Sequence, residues 1–324
     1  MNRVRQNGVD IDRLSALLAG KLGEASLSLT PIAVSCAWPV FKGVTSAGEP
    51  LFVKLSDRHL AEKSLDFLSC ARDCRLLARP RIPGLLDFDG YVVLCLEWKR
   101  AVRVNAVDMT DCQMASFLLG CGELQDVLNA YRGEVLPDEE DSPDRQYALL
   151  VDYARRHPLL AGLMRPLLSI PEPERSYRGR ALVTIHGDLQ EENYGFDGDQ
   201  LSAVFDFDMM RKGLACEDAA YAFSERARRS GLSARARRRL ADLFLSFVRA
   251  SPWPADEWLV ALNHARLRIA SRRVERSPHS PFIALDVARR DRPLRRFVAV
   301  LKESCDMTSA PSVRDASVCG RKDR

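Results

Sequence analysis

Two short apolar runs rich in β-branched residues, 182–185 and 201–205, each end in a polar cluster, and this pairing constrains the fold more than any other feature of the chain. Both read as strands. The first runs into His186-Gly187-Asp188-Leu189-Gln190-Glu191-Glu192-Asn193, and the second runs into Asp206-Phe207-Asp208. Asp197-Gly198-Asp199 reads as the turn of a hairpin that carries the chain from one cluster back to the other. Polar groups at strand ends, held by a rigid scaffold, are where chemistry collects. Asp188 and Asn193 lie five residues apart in one loop, and Asp206 lies thirteen beyond Asn193.

Phosphoryl transfer asks for this kind of set. It needs positioning and charge neutralisation more than covalent chemistry. One carboxylate must orient an attacking hydroxyl and take its proton, a role that suits Asp188. Hard oxygen ligands must hold Mg2+ against the β- and γ-phosphates, a role that suits Asn193 and Asp206.

The strings His186-Gly187-Asp188-Leu189 with Asn193, and Asp206-Phe207-Asp208, resemble the catalytic and metal-binding loops of the aminoglycoside phosphotransferase and choline-kinase-like enzymes, distant relatives of the protein kinases. The resemblance implies an α+β, two-lobed, protein-kinase-like fold, with a small five-stranded antiparallel N-terminal lobe and a larger helical C-terminal lobe. It implies ATP as donor, Mg2+ as cofactor and a small-molecule hydroxyl (aminoglycoside, sugar or amino alcohol) as acceptor. By resemblance Asp188 is the catalytic base, Asn193 and Asp206 ligate magnesium, and Asp208 either reaches a second metal or pairs locally. His186 is expected to hydrogen-bond backbone near the second motif, and Asp218 to lock the metal loop to the next helix. Protein kinases carry Arg, Lys and Gly where this chain has Gly187, Gln190 and Asp208, so protein kinase activity is disfavoured. Gln190 also departs from the residue many small-molecule kinases place there, which bears on acceptor contacts.

Earlier in the chain a helix over residues 12–22 precedes strands at 27–34, 40–45 and 51–55. The turn at 35–39 falls where a nucleotide-covering loop belongs but lacks G-x-G-x-x-G, as in many small-molecule kinases of the family. Lys54 lies among apolar residues in the third strand; it is an edge lysine facing water or, by resemblance, the contact to the α- and β-phosphates. A helix from Ser56 or Asp57 to about residue 77 should carry the carboxylate that orients Lys54. Glu62 is the first candidate and Asp66 the second; the alternative is a solvent-facing Glu62. Strands at 84–88 and 91–98, joined by Asp89-Gly90, complete the sheet. Leu96, Glu97 and Trp98 fall at the expected adenine-binding hinge, with Trp98 free to stack or to fill core.

From residue 104 the pattern turns helical: 108–130, then 143–168 with a break at His157-Pro158, then 216–229, 233–250, 255–273 and 285–302. The implied organisation is a nucleotide-binding lobe at 1–98, a catalytic and acceptor-binding lobe at 99–304 and a disordered tail at 305–324. At 324 residues and 46% hydrophobic content the chain has an adequate core. No membrane span or signal peptide is indicated, and a cytoplasmic location is expected. Nine cysteines without a C-x-x-C pair read as free thiols.

The net charge of +4 hides an uneven distribution. Seven arginines lie between Arg226 and Arg239, and Arg266, Arg268, Arg272, Arg273 and Arg276 follow. A solvated helix face is the plain reading, while an anionic acceptor or nucleic acid is the sharper one. The acidic stretch 138–141, with Glu134 and Asp144, reads as an exposed loop or as a clamp for a polycationic acceptor. Two rival functions follow: a catalytically inactive kinase-fold binding protein, and a nucleic-acid-associated protein using the arginine-rich helices. Nucleic acid is the less favoured partner, and the sequence leaves the oligomeric state open.

Overall fold

A computed structural model describes residues 8–32, 38–104, 108–135, 142–228 and 233–309. Helix α1 (Ile11–Leu22) starts at Asp10, whose side chain accepts the Arg13 N–H, and stops at Gly23, whose φ of 70° needs a residue without Cβ. Strands β1 (Leu27–Pro31), β2 (Val40–Thr45) and β3 (Pro50–Ser56) lead into helix α2 (Arg58–Cys70), capped by the Asp57 side chain. Strands β4 (Leu86–Phe88) and β5 (Tyr91–Glu97) follow. Asp89 and Gly90, both at positive φ, make the tight turn between them. The sheet is five-stranded and antiparallel, as expected, and its order is β1-β2-β3-β5-β4.

Alternation along β3 sorts its side chains. Leu51, Val53 and Leu55 pack under α1 with Leu14 and Leu18, while Phe52 packs against the other core. Lys54, two residues from Phe52, therefore looks toward the rest of the molecule. The adjustments are small: the first strand stops at Pro31 and α2 at Cys70, short of residue 77. Cys74 thus lies outside the helix. The described thiols are free, with Cys95, Cys121 and Cys216 buried.

Helix α3 (Asp111–Ala130) opens with a reciprocal capping box between Thr110 and Gln113. Helices α4 (Pro143–Arg156) and α5 (Ala161–Leu168) are separated by a 3-10 turn at Pro158–Leu160, where the break was expected. Strands β6 (Val183–Ile185), β7 (Tyr194–Asp197), β8 (Gln200–Val204) and β9 (Arg211–Gly213) form two antiparallel pairs, β6 with β9 and β7 with β8. Strand β9 was not anticipated. Helices α6 (Glu217–Ala227), α7 (Ala234–Ala250), α8 (Ala255–Arg276) and α9 (Phe282–Ser309) complete the helical part.

Helix α8 corrects the plain reading of the second arginine run. It is buried on most of its surface from Trp258 to Val274, including Arg266 and Arg268. Arg266 pairs with Asp291 at 2.8 Å. In the first run, Arg226 is buried and donates to the Met109 carbonyl, Arg228 pairs with Glu225, and Arg239 with Asp111. Among the described residues, these pairings engage Arg226, Arg228 and Arg239 within the protein. The expected nucleotide-covering turn falls largely on residues 33–37, the acidic stretch on 136–141 and most of the expected tail on 310–324, all outside the described residues; α9 itself continues to Ser309.

Candidate active site

The loop after β6 is pinned before it reaches Asp188. The His186 and Gly187 N–H groups donate to the two carboxylate oxygens of Asp218 on α6, at 2.7 and 2.9 Å. Burial pushes the Asp218 carboxyl up, against the pull of these N–H groups. Nε2 of the buried His186 lies 2.8 Å from the Phe205 carbonyl, and its Nδ1 accepts the Asp188 N–H at 3.2 Å. A carbonyl accepts only, so Nε2 carries the proton and the neutral ring bridges both motif loops. Gly187 sits at φ +79°, and a Cβ there would lie 2.1 Å from the Met209 carbonyl oxygen. The arginine of protein kinases has no room at this position.

Asp188 is held on both oxygens. Oδ2 accepts from Gln190 at 3.0 Å and from Asn193 at 3.4 Å, and Asn193 Nδ2 also donates to the Asp188 carbonyl at 2.8 Å. Oδ1 accepts from Arg272 at 3.0 Å and from Arg268 at 3.3 Å, both on α8. The Tyr221 ring lies against the two guanidiniums, 4.4 Å from that of Arg268, and its hydroxyl accepts from Arg272 at 3.0 Å.

The second cluster is close by. Phe205 N–H donates to the Asn193 carbonyl at 2.8 Å, so Asp206 is the next residue beyond a backbone pair with Asn193. Asp206 adopts left-handed geometry (φ 66°, ψ 69°), an uncommon conformation for a residue with a side chain and one that gathers at functional sites. Lys54 Nζ donates to Asp206 Oδ1 and Asp208 Oδ2, each at 2.7 Å. Burial opposes the Lys54 charge, but the two carboxylates outweigh it and raise its pKa. Asp206, opposed by burial and favoured by Lys54, titrates below its ordinary range, whereas burial pushes Asp208 up.

Helix α2 approaches this cluster with a different face from the one expected. Glu62 is exposed and pairs with Arg58 at 3.4 Å, and Asp66 accepts from the Tyr131 hydroxyl at 2.7 Å. Neither meets Lys54. The inward residues are Ser64, which donates to Asp208 Oδ1 at 3.1 Å, and Lys63, which donates to the Asp208 carbonyl. Burial lowers the Lys63 pKa. The buried anchor of Lys54 is Asp208, from the loop rather than from the helix.

Two residues fit a hard divalent cation. Asn193 spends its amide nitrogen on Asp188, which leaves its oxygen as the ligand atom, and the Asp206 side chain is 37% exposed. Asp208 has its oxygens engaged by Lys54 and Ser64, which suits an anchor better than a second metal ligand. Among the described residues no set of three or more His, Cys, Asp or Glu side chains could hold a metal by itself. A cation here would need Asn193 and the oxygens of a nucleotide and water. At the expected hinge, Leu96 is buried, Glu97 pairs with Lys99 at 3.0 Å, and Lys42 lies 5.2 Å over the Trp98 ring.

A family model of phosphotransferase enzymes, APH, matches residues 45–253. The chain belongs to that family. Among curated proteins none matches this phosphotransferase family member. Solved structures share its kinase-like fold. The amicoumacin kinase hAmiN, bound to AMP-PNP, Ca2+ and Ami, is 12% identical with a TM-score of 0.60, over 83% of this chain and 88% of its own. An aminoglycoside phosphotransferase from Alicyclobacillus acidocaldarius is 14% identical with a TM-score of 0.59, over 86% and 92%. The macrolide 2'-phosphotransferase MphH from Brachybacterium faecium is 14% identical with a TM-score of 0.55, over 87% and 97%. Among the described residues of this phosphotransferase no helix is long and apolar enough to cross a membrane.

Sequence reasoning missed Lys63, Ser64 and Tyr221 at the site, and it had Arg268 and Arg272 only as members of a run that could meet an anionic acceptor. It also missed the buried support behind the site, where Glu217 meets Arg211, His264 Nδ1 at 2.8 Å and the Tyr177 hydroxyl at 2.5 Å. A signal for the α8 arginines was present: Arg266 and Arg268, two apart, point about 200° from each other on a helix, so one exposed stripe cannot hold both.

Proposed function

We propose that this family member is a small-molecule kinase, transferring the γ-phosphoryl group of ATP to a hydroxyl of a small molecule with Mg2+. The observation that carries the reading is the convergence of Asp188, Asn193 and Asp206 on one backbone-paired junction, with Lys54 ending 2.7 Å from Asp206. In this reading Asp188 orients the acceptor hydroxyl through a carboxylate fixed by Gln190, Asn193 and α8, and receives its proton. The acceptor oxygen bonds to the γ-phosphorus, the bond from that phosphorus to the β–γ bridging oxygen breaks, and ADP leaves with the electron pair. Asn193 and Asp206 hold Mg2+, which neutralises charge on the β- and γ-phosphates. Lys54 meets the phosphates, anchored from behind by Asp208, and the backbone of 96–98 reads the base.

The nucleotides bound in the solved relatives, AMP-PNP and ADP, support a nucleoside triphosphate as donor. Their acceptors are antibiotics, which supports a free small molecule rather than a protein as acceptor. A cytoplasmic setting, where ATP is abundant, fits this chemistry. The test follows ATP and a panel of alcohols by phosphorus NMR. The expected result is a phosphate monoester appearing one-for-one with ADP, in wild type and not in Asp188→Asn. Orthophosphate as the sole product with every alcohol, unchanged in that variant, overturns the reading.

A further inference from the structure

We infer that the acceptor alcohol carries negative charge of its own, a phosphate ester or a carboxylate, and that Arg272, backed by Arg268, reads it beside Asp188. This rests on the phosphotransferase reading above and specifies its acceptor class. Two guanidiniums converge on one oxygen of one carboxylate, at 3.0 and 3.3 Å. Arg268 is buried at 2% side-chain exposure, with its guanidinium against the Tyr221 ring, so its charge is fixed in place. Arg272, one turn further along α8, is 30% exposed and holds both Asp188 and the Tyr221 hydroxyl. It is the cation that an incoming molecule meets when it brings a hydroxyl to Asp188.

Further arginines follow on the same helix. Arg273 follows directly and reaches Asp286 at only 3.7 Å, a carboxylate that Arg290 already holds at 2.9 Å. A polycationic acceptor entering here would meet like charge beside the base, whereas an anionic one would gain charge-assisted hydrogen bonds from a planar donor fork. Gln190, where protein kinases carry lysine, contributes no charge, so the positive field at Asp188 comes from α8.

Full-length protein with MgATP would be offered matched alcohols: glycerol 3-phosphate and gluconate, glycerol and glucose, and glucosamine with an aminoglycoside. The expected result is kcat/KM at least tenfold higher for the anionic members, declining with added salt. Arg272→Gln, which also removes a partner of Asp188, should lower kcat for every acceptor and in addition raise the anionic acceptor's KM about tenfold more than glycerol's, and Arg272→Lys should restore part of that KM loss. ADP binding by calorimetry checks that each variant is folded. A preference for the cationic or neutral members overturns the inference. So does an Arg272→Gln variant that lowers kcat equally for all acceptors with KM unchanged, because the arginine would then act on the transferring phosphoryl group. If no alcohol in the panel is phosphorylated, Asp188-dependent ATP hydrolysis becomes the readout. Inhibition of it by glycerol 3-phosphate in wild type and not in Arg272→Gln supports the inference, and its absence overturns it. Loss of any Asp188-dependent reaction of ATP sinks the phosphotransferase reading instead.

Discussion

The two sides of the junction between Asp188 and Asp206 are built on opposite electrostatic plans. On the sheet side one lysine, Lys54, lies between two carboxylates, with Ser64 and Lys63 completing the coordination of Asp208. On the α8 side one carboxylate, Asp188, lies between two arginines over a tyrosine ring. The first arrangement leaves oxygen ligands for a cation and a cation for phosphate, the requirements of a metal–nucleotide whatever its acceptor. In the proposed reading the second leaves positive charge around the base, on the side where the acceptor would enter.

The sharpest way to separate the halves is Asp188→Ala. Turnover should fall about a thousandfold, within the usual range for loss of a general base, while ADP affinity stays within about threefold. Comparable losses in both would mean the halves are one unit. Removing Glu217 tests whether the acceptor side depends on buried support. Arg211 and His264 are 2% and 1% exposed, so Glu217→Ala should cost about 3–5 kcal/mol in chemical denaturation.

That effect has a pH signature. Burial pushes the Glu217 carboxyl up, but Arg211 and then His264 outweigh burial and hold it well below its usual range. A depressed folded pKa contributes stability that is complete above the unfolded value of about 4.3 and is lost as pH falls toward the folded one. The stability gap between wild type and Glu217→Gln should therefore narrow below about pH 4. A gap independent of pH would show that packing, not charge, is what the variant removes.

On the donor side, Lys54→Met should raise the KM for ATP roughly tenfold to a hundredfold, the worth of a charged hydrogen bond or two, with the acceptor KM little changed. The smallest expected effect is the most pointed for the helix beside it. Glu62→Gln should leave ATP KM and turnover unchanged, because Glu62 faces solvent beside Arg58. A tenfold rise would restore Glu62 as the partner of Lys54.

These differences also mark how far the residues could be read before the structure. The five-stranded sheet and the helix break at His157 follow from local chemistry, because turn residues and proline state themselves in sequence, whereas the bridging role of His186 and the locking role of Asp218 were legible through the family resemblance. Glu62 failed through helix phase. The inward stripe of α2 is Ala61, Ser64, Phe67 and Leu68, a spacing of three and four. Glu62 lies off that stripe, which is why it faces solvent beside Arg58. Arg268 and Arg272 could be read as part of a run suited to an anionic acceptor, but their meeting with Asp188 was illegible for a different reason. Their partner, Asp188, is 80 and 84 residues away in sequence, and no local pattern encodes that meeting.

The convergence of Asn193 and Asp206 on a nucleotide-bound cation is tested most directly by calorimetry of AMP-PNP binding with Mg2+ and with EDTA, in wild type and Asp206→Asn. The expected result is binding at least tenfold tighter with Mg2+ in wild type, and a variant whose weaker binding no longer responds to the metal. Equal affinity with and without Mg2+ in the wild-type protein would contradict it.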